Sequence, residues 1–577
     1  MQNLTTIIQD LDGLAVSNYS RLCGFYAKNG IQYHIQNIHG GQLKSADIEL
    51  TFDIQRIYPY EYEKWDEIPI LAHILREFSV AIHLANDSMQ QSEDKVQKGL
   101  FIGYGCSNRV LSHSSVHLQD SILRISFVLR LPYNQSAYNG SNLAMGIKAK
   151  QKALANVKKG IISGKALELF LLKNLPELAE KFVNEFDTAS LEKSIVLYRN
   201  QEYIRSFLKT NGYVTFIANG SVLPRKGKTD YKDSKYAVPF VSPKSMEITI
   251  ELPNAERVCG MGIKEGITLI TGDAYHGKST ILEAISQGVY NHALGDGREY
   301  VITNESALQI EAEDGRSIRN TDISFFLRKL PVKGIVADSF CTDNASGSTS
   351  QAAAVSEAIE IGSSLMLFDE DRSANNFMYK DEKLRRIIQN ASTTPYLDCA
   401  KMFYEKYGVS SIIVVGASGE YFKIANKVIV VENFKIREYE NEIKQTIGTM
   451  GNFGLKKRLA DLSHLRRLSL ERRIEIKDDV TIKVGSESMD ISEIIPCPTR
   501  GQLSFICSFF YYLTVFGKGG KVNLIYTVQE LYAKIANEGI YFLHQKGFKD
   551  TEHIEFVRYQ DMLCILYRLR CVNFYTA

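Results

Sequence analysis

Apolar and polar positions change period several times along this chain, and each change predicts an element. Leu71 to Ala85 places its apolar residues at helical spacing, so a helix is expected there. Ser121-Ile-Leu-Arg-Ile-Ser-Phe-Val-Leu-Arg130 alternates apolar and polar residues, the two-residue period of a half-buried strand. Helical spacing returns over 166–210, Gly212 to Ala218 predicts a strand, and 219–245 is a polar, Pro-containing connection. From 246 to 445 strand-like apolar runs alternate with helical stretches, the pattern of an α/β domain. The last section, 446–577, opens basic and ends in a helical pattern from Tyr559 to Arg570. We therefore expect an α+β domain over 1–160, an α/β domain over 161–445 and a C-terminal domain over 446–577.

Composition adds exclusions. A chain of 577 residues is too long for one core. Hydrophobic residues at 45% and charged residues at 23% are ordinary for folded domains. The net charge of +2 gives no overall pull toward nucleic acid, so any basic surface must be local. The nine cysteines form no CxxC pair, which argues against a zinc ribbon or disulfide framework. They fit the cytoplasm or another reducing intracellular compartment. The start, MQNLTTIIQDLDG, lacks the charged-then-apolar order of a secretion signal. The most hydrophobic stretch, Leu503 to Phe516, contains Ser504, Ser508 and Thr514 and is too short to span a bilayer. No integral membrane segment is expected.

Three short segments carry candidate chemistry. The buried-strand run Ile267-Thr-Leu-Ile-Thr271 leads into Gly272-Asp273-Ala274-Tyr275-His276-Gly277-Lys278-Ser279-Thr280, and Ile281 to Ile285 then begins a helix. This is strand, GxxxxGK[ST], helix, in the order a phosphate-binding loop requires. Loop N–H groups and the helix N-terminus offer donors, Lys278 reaches the β and γ phosphates, and Ser279 is placed for Mg²⁺. The second segment is Leu365-Met-Leu-Phe368 followed by Asp369-Glu370, 91 residues after Lys278. Asp369 at the strand end can hold Mg²⁺, and Glu370 can deprotonate the attacking water. The third is Ser346-Gly347-Ser348-Thr349-Ser350-Gln351, a hydroxyl-rich turn that opens a helix 23 residues before Asp369. Such a turn is a second anion site.

These motifs, together with Asn219-Gly-Ser-Val-Leu-Pro-Arg225, Gly260-Met-Gly-Ile263, Gly288-Val-Tyr-Asn-His292 and Gly416-Ala-Ser-Gly-Glu-Tyr-Phe422, resemble the family of predicted ATPases of the ABC class. The resemblance covers most of the chain and is most specific from 210 to 430. It implies an α/β P-loop NTPase of ABC type at the centre, flanked by smaller α+β domains. It also implies ATP and Mg²⁺ as ligands and a homodimer in which each ATP meets one subunit's loop and the other's signature turn. Because the family includes an ATPase of a kinetoplastid mitochondrial RNA-binding complex, it suggests RNA as a partner ahead of DNA. Two departures from common ABC enzymes stand out. The turn reads SGSTSQ rather than LSGGQ, and no histidine occurs between His292 and His464, where a switch histidine belongs. Ser418 or a neighbour would occupy that region, and the Q-loop glutamine has no evident position.

Local basic clusters support a nucleic-acid partner. From Gly454 to Lys477, eight basic residues against three acids leave +5, with Lys456, Lys457, Arg458, Arg466 and Arg467 the candidate contacts. Arg225 and Lys226 head another cluster with Lys228, Lys232 and Lys235, and Ser121 to Leu167 contains no acid at all. The expected activity is therefore ATP hydrolysis coupled to binding or remodelling of RNA. The alternative is a nucleotide-dependent scaffold in which slow hydrolysis times a protein–protein interaction.

Overall fold

The computed structural model describes residues 2–39, 44–90, 99–134, 161–227, 229–233, 235, 237–327, 336–388, 392–440, 457–515, 520–546 and 553–576. The chain forms two compact units, Met1–Cys106 with Leu111–Ile195, and Ser107–Val110 with Val196–Ala577.

In the first unit, helix α1 (Gln2–Leu11) precedes strands β1 (Gly24–Lys28), β2 (Ile31–His39) and β3 (Ser45–Asp53). Helix α2 (Glu67–Gln90) follows, then β4 (Leu100–Ile102), β5 (Val116–Gln119) and β6 (Ile122–Arg130). The strands make an antiparallel sheet in the order β1-β2-β3-β6-β4, with β5 also on β6. The predicted alternation in β6 is realised, since Leu123, Ile125, Phe127 and Leu129 are all buried and the residues between them are not. Helix α2 contains the expected stretch from Leu71 to Ala85 and sends Ile70, Ile74, Phe78 and Ile82 into this core. Phe78 meets Phe127 edge-on at 5.2 Å and Phe182 of helix α3 (Leu175–Asn184) at 5.1 Å. Truncating such a side chain to alanine costs about 3–5 kcal/mol. Among the described residues one helical stretch, Lys64–Met89, is long and apolar enough to cross a membrane by length and composition. Its inner face is committed to this core.

Helix α4 (Thr188–Thr210) spans the boundary between the units along the chain. The second unit opens with an antiparallel sheet of β7 (Tyr213–Ala218), β8 (Glu247–Glu251), β9 (Arg257–Lys264) and a later strand, β11 (Val301–Thr303), in the order β8-β9-β7-β11. Its main sheet contains β10 (Ile267–Thr271), β12 (Leu308–Gln309), β13 (Leu365–Asp369), β14 (Ser410–Val415), β15 (Lys427–Glu432) and β16 (Lys435–Tyr439). The order is β12-β13-β14-β10-β15-β16, parallel throughout except for the β15–β16 hairpin. A parallel sheet covered by helices buries both faces, which is why these strands are nearly unbroken Ile, Val and Leu. Helices α5 (Lys278–Gln287), α6 (Gly347–Glu360) and α7 (Tyr396–Tyr407) complete this α/β layer.

The C-terminal section adds β17 (Arg458–Asp461), α8 (Ser463–Leu470), α9 (Arg500–Val515), α10 (Leu524–Glu538) and α11 (Tyr559–Arg568). The hydrophobic run around Leu503 is helix α9, with Leu503, Phe505, Ile506, Phe509 and Phe510 wholly buried. One apolar cluster joins Leu269, Phe368 and Ile413 of the main sheet to Phe509, Leu563 and Leu566.

Candidate nucleotide site

The phosphate loop forms where β10 ends, between β14 and β15. The chain must turn there against a neighbouring strand. Gly272 has φ +147°, and a Cβ at that position would lie 2.1 Å from the Val431 carbonyl oxygen, so no other residue fits. Gly277, at φ +98°, closes the loop and directly precedes α5, whose first amides receive no side-chain cap. Those free donors and the helix dipole suit a phosphate. Tyr275 is held at φ +64° and is 97% exposed. Left-handed backbone in a tyrosine costs of order 1–3 kcal/mol, so the loop holds it by tertiary constraint. The Lys278 amine lies over the loop and donates to the carbonyls of Gly272 and Asp273, both at 2.8 Å. The Asp273 carboxylate accepts from the Ala274 amide at 2.8 Å. His276 and Thr280 are half-buried, and Ser279 is exposed.

Asp369 ends β13 and Glu370 follows it, at 5% and 8% exposure. Asp369 accepts the Asp371 amide at 3.2 Å, which fixes its carboxylate at the strand end. β14 lies between β13 and β10, so its C-terminal end comes up beside both motifs. There the amides of Gly416 and Ala417 donate to one oxygen of Glu370, at 2.6 and 2.9 Å. Ser418, expected in this region, instead caps the next turn by accepting the Glu420 amide at 3.3 Å. Burial, reinforced by the Glu370 charge, pushes the nearby Tyr421 phenol far above its usual range, so it stays neutral.

Ser279 and Asp369 line one cavity of about 800 Å³. An exposed hydroxyl and a fixed carboxylate on a shared cavity are an appropriate donor pair for Mg²⁺. The same cavity is lined by Gln309, at the end of β12, which pairs in parallel with β13 through Leu308 and Met366. Gln309 donates to Glu311, and Glu311 accepts from Arg372 at 2.8 Å. Gln309 lies beside the carboxylate strand on this cavity, and the sequence pattern did not single it out. A second cavity, about 210 Å³, adjoins the loop and is lined by His276, Gly277, Thr280, Val238, Phe240 and Phe434, among others. Its apolar wall suits the flat face of a base.

The serine-rich turn opens α6 as expected. Ser346 is exposed and its hydroxyl is 3.0 Å from that of Thr349, while Gly347, Ser348 and Thr349 are half-buried. Ser350 and Gln351 point inward and are fully buried. The Ser350 hydroxyl accepts the Glu313 amide at 2.8 Å. Gln351 donates to Ser373 at 3.0 Å and accepts from the Ala374 amide at 2.8 Å, tying α6 to the segment after Glu370.

The basic candidates divide. Arg225 is corrected: its side chain is 3% exposed and pairs with Asp296 at 2.6 Å. Burial works against the Asp296 charge, but His292 and Arg225 outweigh it and hold that carboxyl below its usual range. Arg458 is corrected too. Its side chain is 5% exposed, paired with Glu360, and its guanidinium lies 4.8 Å from the ring centres of both Tyr567 and Phe574. Neither can meet a phosphate backbone from these positions. Lys226, Lys457, Arg466 and Arg467 are exposed. Arg467 is 64% exposed and lies near Glu471 at 3.9 Å. Lys456 and Lys228 lie outside the described residues, as do Lys148, Lys150, Lys152, Lys158 and Lys159 of the acid-free stretch.

The uncharacterized protein MJ1628 of Methanocaldococcus jannaschii is 33% identical over 281 residues, 46% of this chain and 61% of that protein. The chain thus spans about three fifths of that relative's length. Among solved structures, the ADP conformation of MJ1267, an ATP-binding cassette of an ABC transporter, aligns at 14% identity over 33% of this chain and 86% of that one, with a TM-score of 0.22. At that score the likeness carries no argument. The family model for the ABC_ATPase P-loop domain matches residues 187–463, a span that contains the phosphate loop, the serine-rich turn and the carboxylate pair. The part of the α/β core between 187 and 463 therefore matches the P-loop domain of the ABC ATPase family.

Proposed function

We propose that this chain hydrolyses ATP with Mg²⁺ in a dimeric sandwich and couples the cycle to binding or remodelling of RNA. The observation that carries the catalytic half is the pair of amides, Gly416 and Ala417, that fix the Glu370 carboxylate at the end of β14. A general base must be aimed before it can accept a proton, and two backbone donors on one oxygen aim it without a histidine. In this reading the second oxygen of Glu370 takes the proton of the attacking water. Lys278 exchanges its two loop carbonyls for phosphate oxygens, and the amides at the start of α5 bind the phosphates. Ser279 and Asp369 would hold Mg²⁺, which when bound neutralises charge on the phosphates. Gln309 orients groups at the same end of the cavity, and the apolar wall of Phe240 and Phe434 takes the base. The hydroxyls of exposed Ser346 and half-buried Ser348 and Thr349 face the nucleotide of a second copy. Lys226, Lys457, Arg466 and Arg467 are the remaining candidates for RNA phosphates, and the division of the chain at 160 and 445 belongs to the same proposal.

The test is phosphate release from ATP by the purified chain, with filter binding of single-stranded RNA in the presence and absence of ATP. The proposal expects turnover, and an RNA affinity that changes with nucleotide. Turnover with no RNA binding at low salt would favour the scaffold reading, and no turnover together with no ATP binding would refute both.

A further inference from the structure

The first unit presents an apolar groove with an acidic lip, and we propose that it is a docking site for a basic amphipathic helix of a partner protein. The groove runs between α2 and α3 and encloses about 400 Å³. Glu77, Val80, Ala81, Leu84, Ala85 and Ser88 line one side. That spacing of three and four residues is a single stripe along α2. The inner stripe of the same helix is used up by the core, so this outer stripe is a second apolar face. Val80 is 50% exposed and Leu84 59%. Although the helix is apolar enough for a membrane, less than half of its most apolar stretch is buried. Two large aliphatic side chains left half in water one turn apart, beside an apolar groove, mark an interaction face more than a scatter of surface residues does. Phe182 and Phe186, in edge contact at 5.5 Å, make the opposite wall.

Charge selects the occupant. Glu77, Glu177, Glu185 and Asp187 line the groove, with Lys181 the opposing cation. Lys181 is itself 3.8 Å from Glu185. Four acids against one lysine leave a lip near −3 around an apolar floor. An anionic lipid surface would be repelled by that lip. A helix with leucines on one face and lysines flanking them would match both floor and lip. The groove follows α2 for about 18 Å, from 77 to 89, which accommodates three turns of a second helix. Apolar burial would supply affinity, and the acidic lip would supply orientation and a salt-dependent on-rate.

The experiment uses the full chain and a fluorescein-labelled 18-residue helix of leucine and lysine, with leucines at positions i, i+3, i+4 and i+7, read by fluorescence anisotropy. A leucine–glutamate counterpart is the charge control, and vesicles of phosphatidylcholine with phosphatidylserine are the lipid arm. Binding of the leucine–lysine helix, absence of binding by its counterpart, and a loss of about tenfold or more in Leu84→Asp are expected. Glu177→Lys with Glu185→Lys should weaken binding several-fold at low salt and less at high salt. Both variants alter exposed side chains, and unchanged circular dichroism and melting temperature confirm that they fold. Equal affinity for wild type and Leu84→Asp would overturn the proposal, since attraction would then be to acid anywhere on the surface. Vesicle binding without helix binding would assign the face to lipid and overturn it as well. So would a dimer in sedimentation that Leu84→Asp dissolves, because a second copy would then be the occupant.

Discussion

Glu370→Gln tests the catalytic reading most directly because the structure predicts which properties it spares. One oxygen of Glu370 accepts two amides, from Gly416 at 2.6 Å and Ala417 at 2.9 Å. Glutamine has the same length and can present its carbonyl oxygen to both donors, so the side chain should stay in place and the fold should not change. What glutamine lacks is a basic oxygen toward the water. Loss of a positioned general base is worth roughly 10²- to 10⁴-fold in rate. At about 1.36 kcal/mol per decade this is about 2.7–5.5 kcal/mol of barrier. Glu370→Asp separates the two properties. Shortened by one methylene, its carboxylate cannot both reach the amides and meet the water, so it should be slow despite being a base. The assays are single-turnover phosphate release, ATP affinity by equilibrium dialysis, and sedimentation velocity with ATP and Mg²⁺. The expected outcome is unchanged ATP affinity, slow release in both variants, and an ATP-dependent dimer in Glu370→Gln. Wild-type release by Glu370→Gln would refute Glu370 as the base, and full activity in Glu370→Asp would refute the role given to the amide pair.

Lys278→Ala should lose tight ATP binding while keeping its melting temperature, because the lysine's hydrogen-bond partners among the described residues are two carbonyls of its own loop; unchanged affinity by dialysis would remove the loop from the site. Burial, with Arg76 adding to it, lowers the His73 imidazole from 6.5 to about 4, so below pH 6.5 the unfolded chain takes up a proton that the folded one refuses. Stability of the first unit should therefore fall as pH drops from 6.5 toward 4, by up to about 3 kcal/mol, and His73→Leu should flatten that slope in urea melts followed by Trp65 fluorescence. Reversing Lys457, Arg466 and Arg467 to glutamate should reduce the log–log salt slope of RNA binding by roughly 0.7–0.9 per lost contact. Arg458→Ala should instead leave that slope alone and destabilise the fold by about 3–5 kcal/mol, as breaking a buried pair does, measured by thermal melting.

How much of this could be read from the chain depends on whether the signal is local. The phosphate loop was legible because its strand, glycines, lysine and helix are consecutive, and each has a residue-type requirement imposed by backbone geometry. β6 was legible because one buried face imposes a two-residue period over nine residues. Gln309 was not, since β12 is two residues long and carries no period. Only its pairing with Leu367 of β13, almost sixty positions later, brings it to the carboxylates. The amides of Gly416 and Ala417 were also invisible, because a backbone donor leaves no mark on residue identity. Ser418 or a neighbour was expected in that region, and the groups there that meet Glu370 are the main-chain amides of its neighbours Gly416 and Ala417.

The basic clusters show the reverse failure, a local signal that tertiary partners cancel. Arg225 reads as the head of a cationic run, yet its carboxylate partner lies 71 residues further on, and the pair is buried. Arg458 sits in a strongly basic stretch of the chain, yet its partner Glu360 lies 98 residues back. Counting charge along a window treats every cation as solvated, whereas desolvation forces a buried one to find an acid wherever the fold supplies it. The positive segments are therefore smaller as surfaces than as sequences. The acidic lip of the first unit differs in kind. Its carboxylates come from α2, α3 and the turn after α3, too dispersed to register as a run, and only the packing of the two helices brings them around one apolar floor. Charge that the fold assembles, rather than charge that the sequence bunches, marks the surfaces where a partner is to be sought.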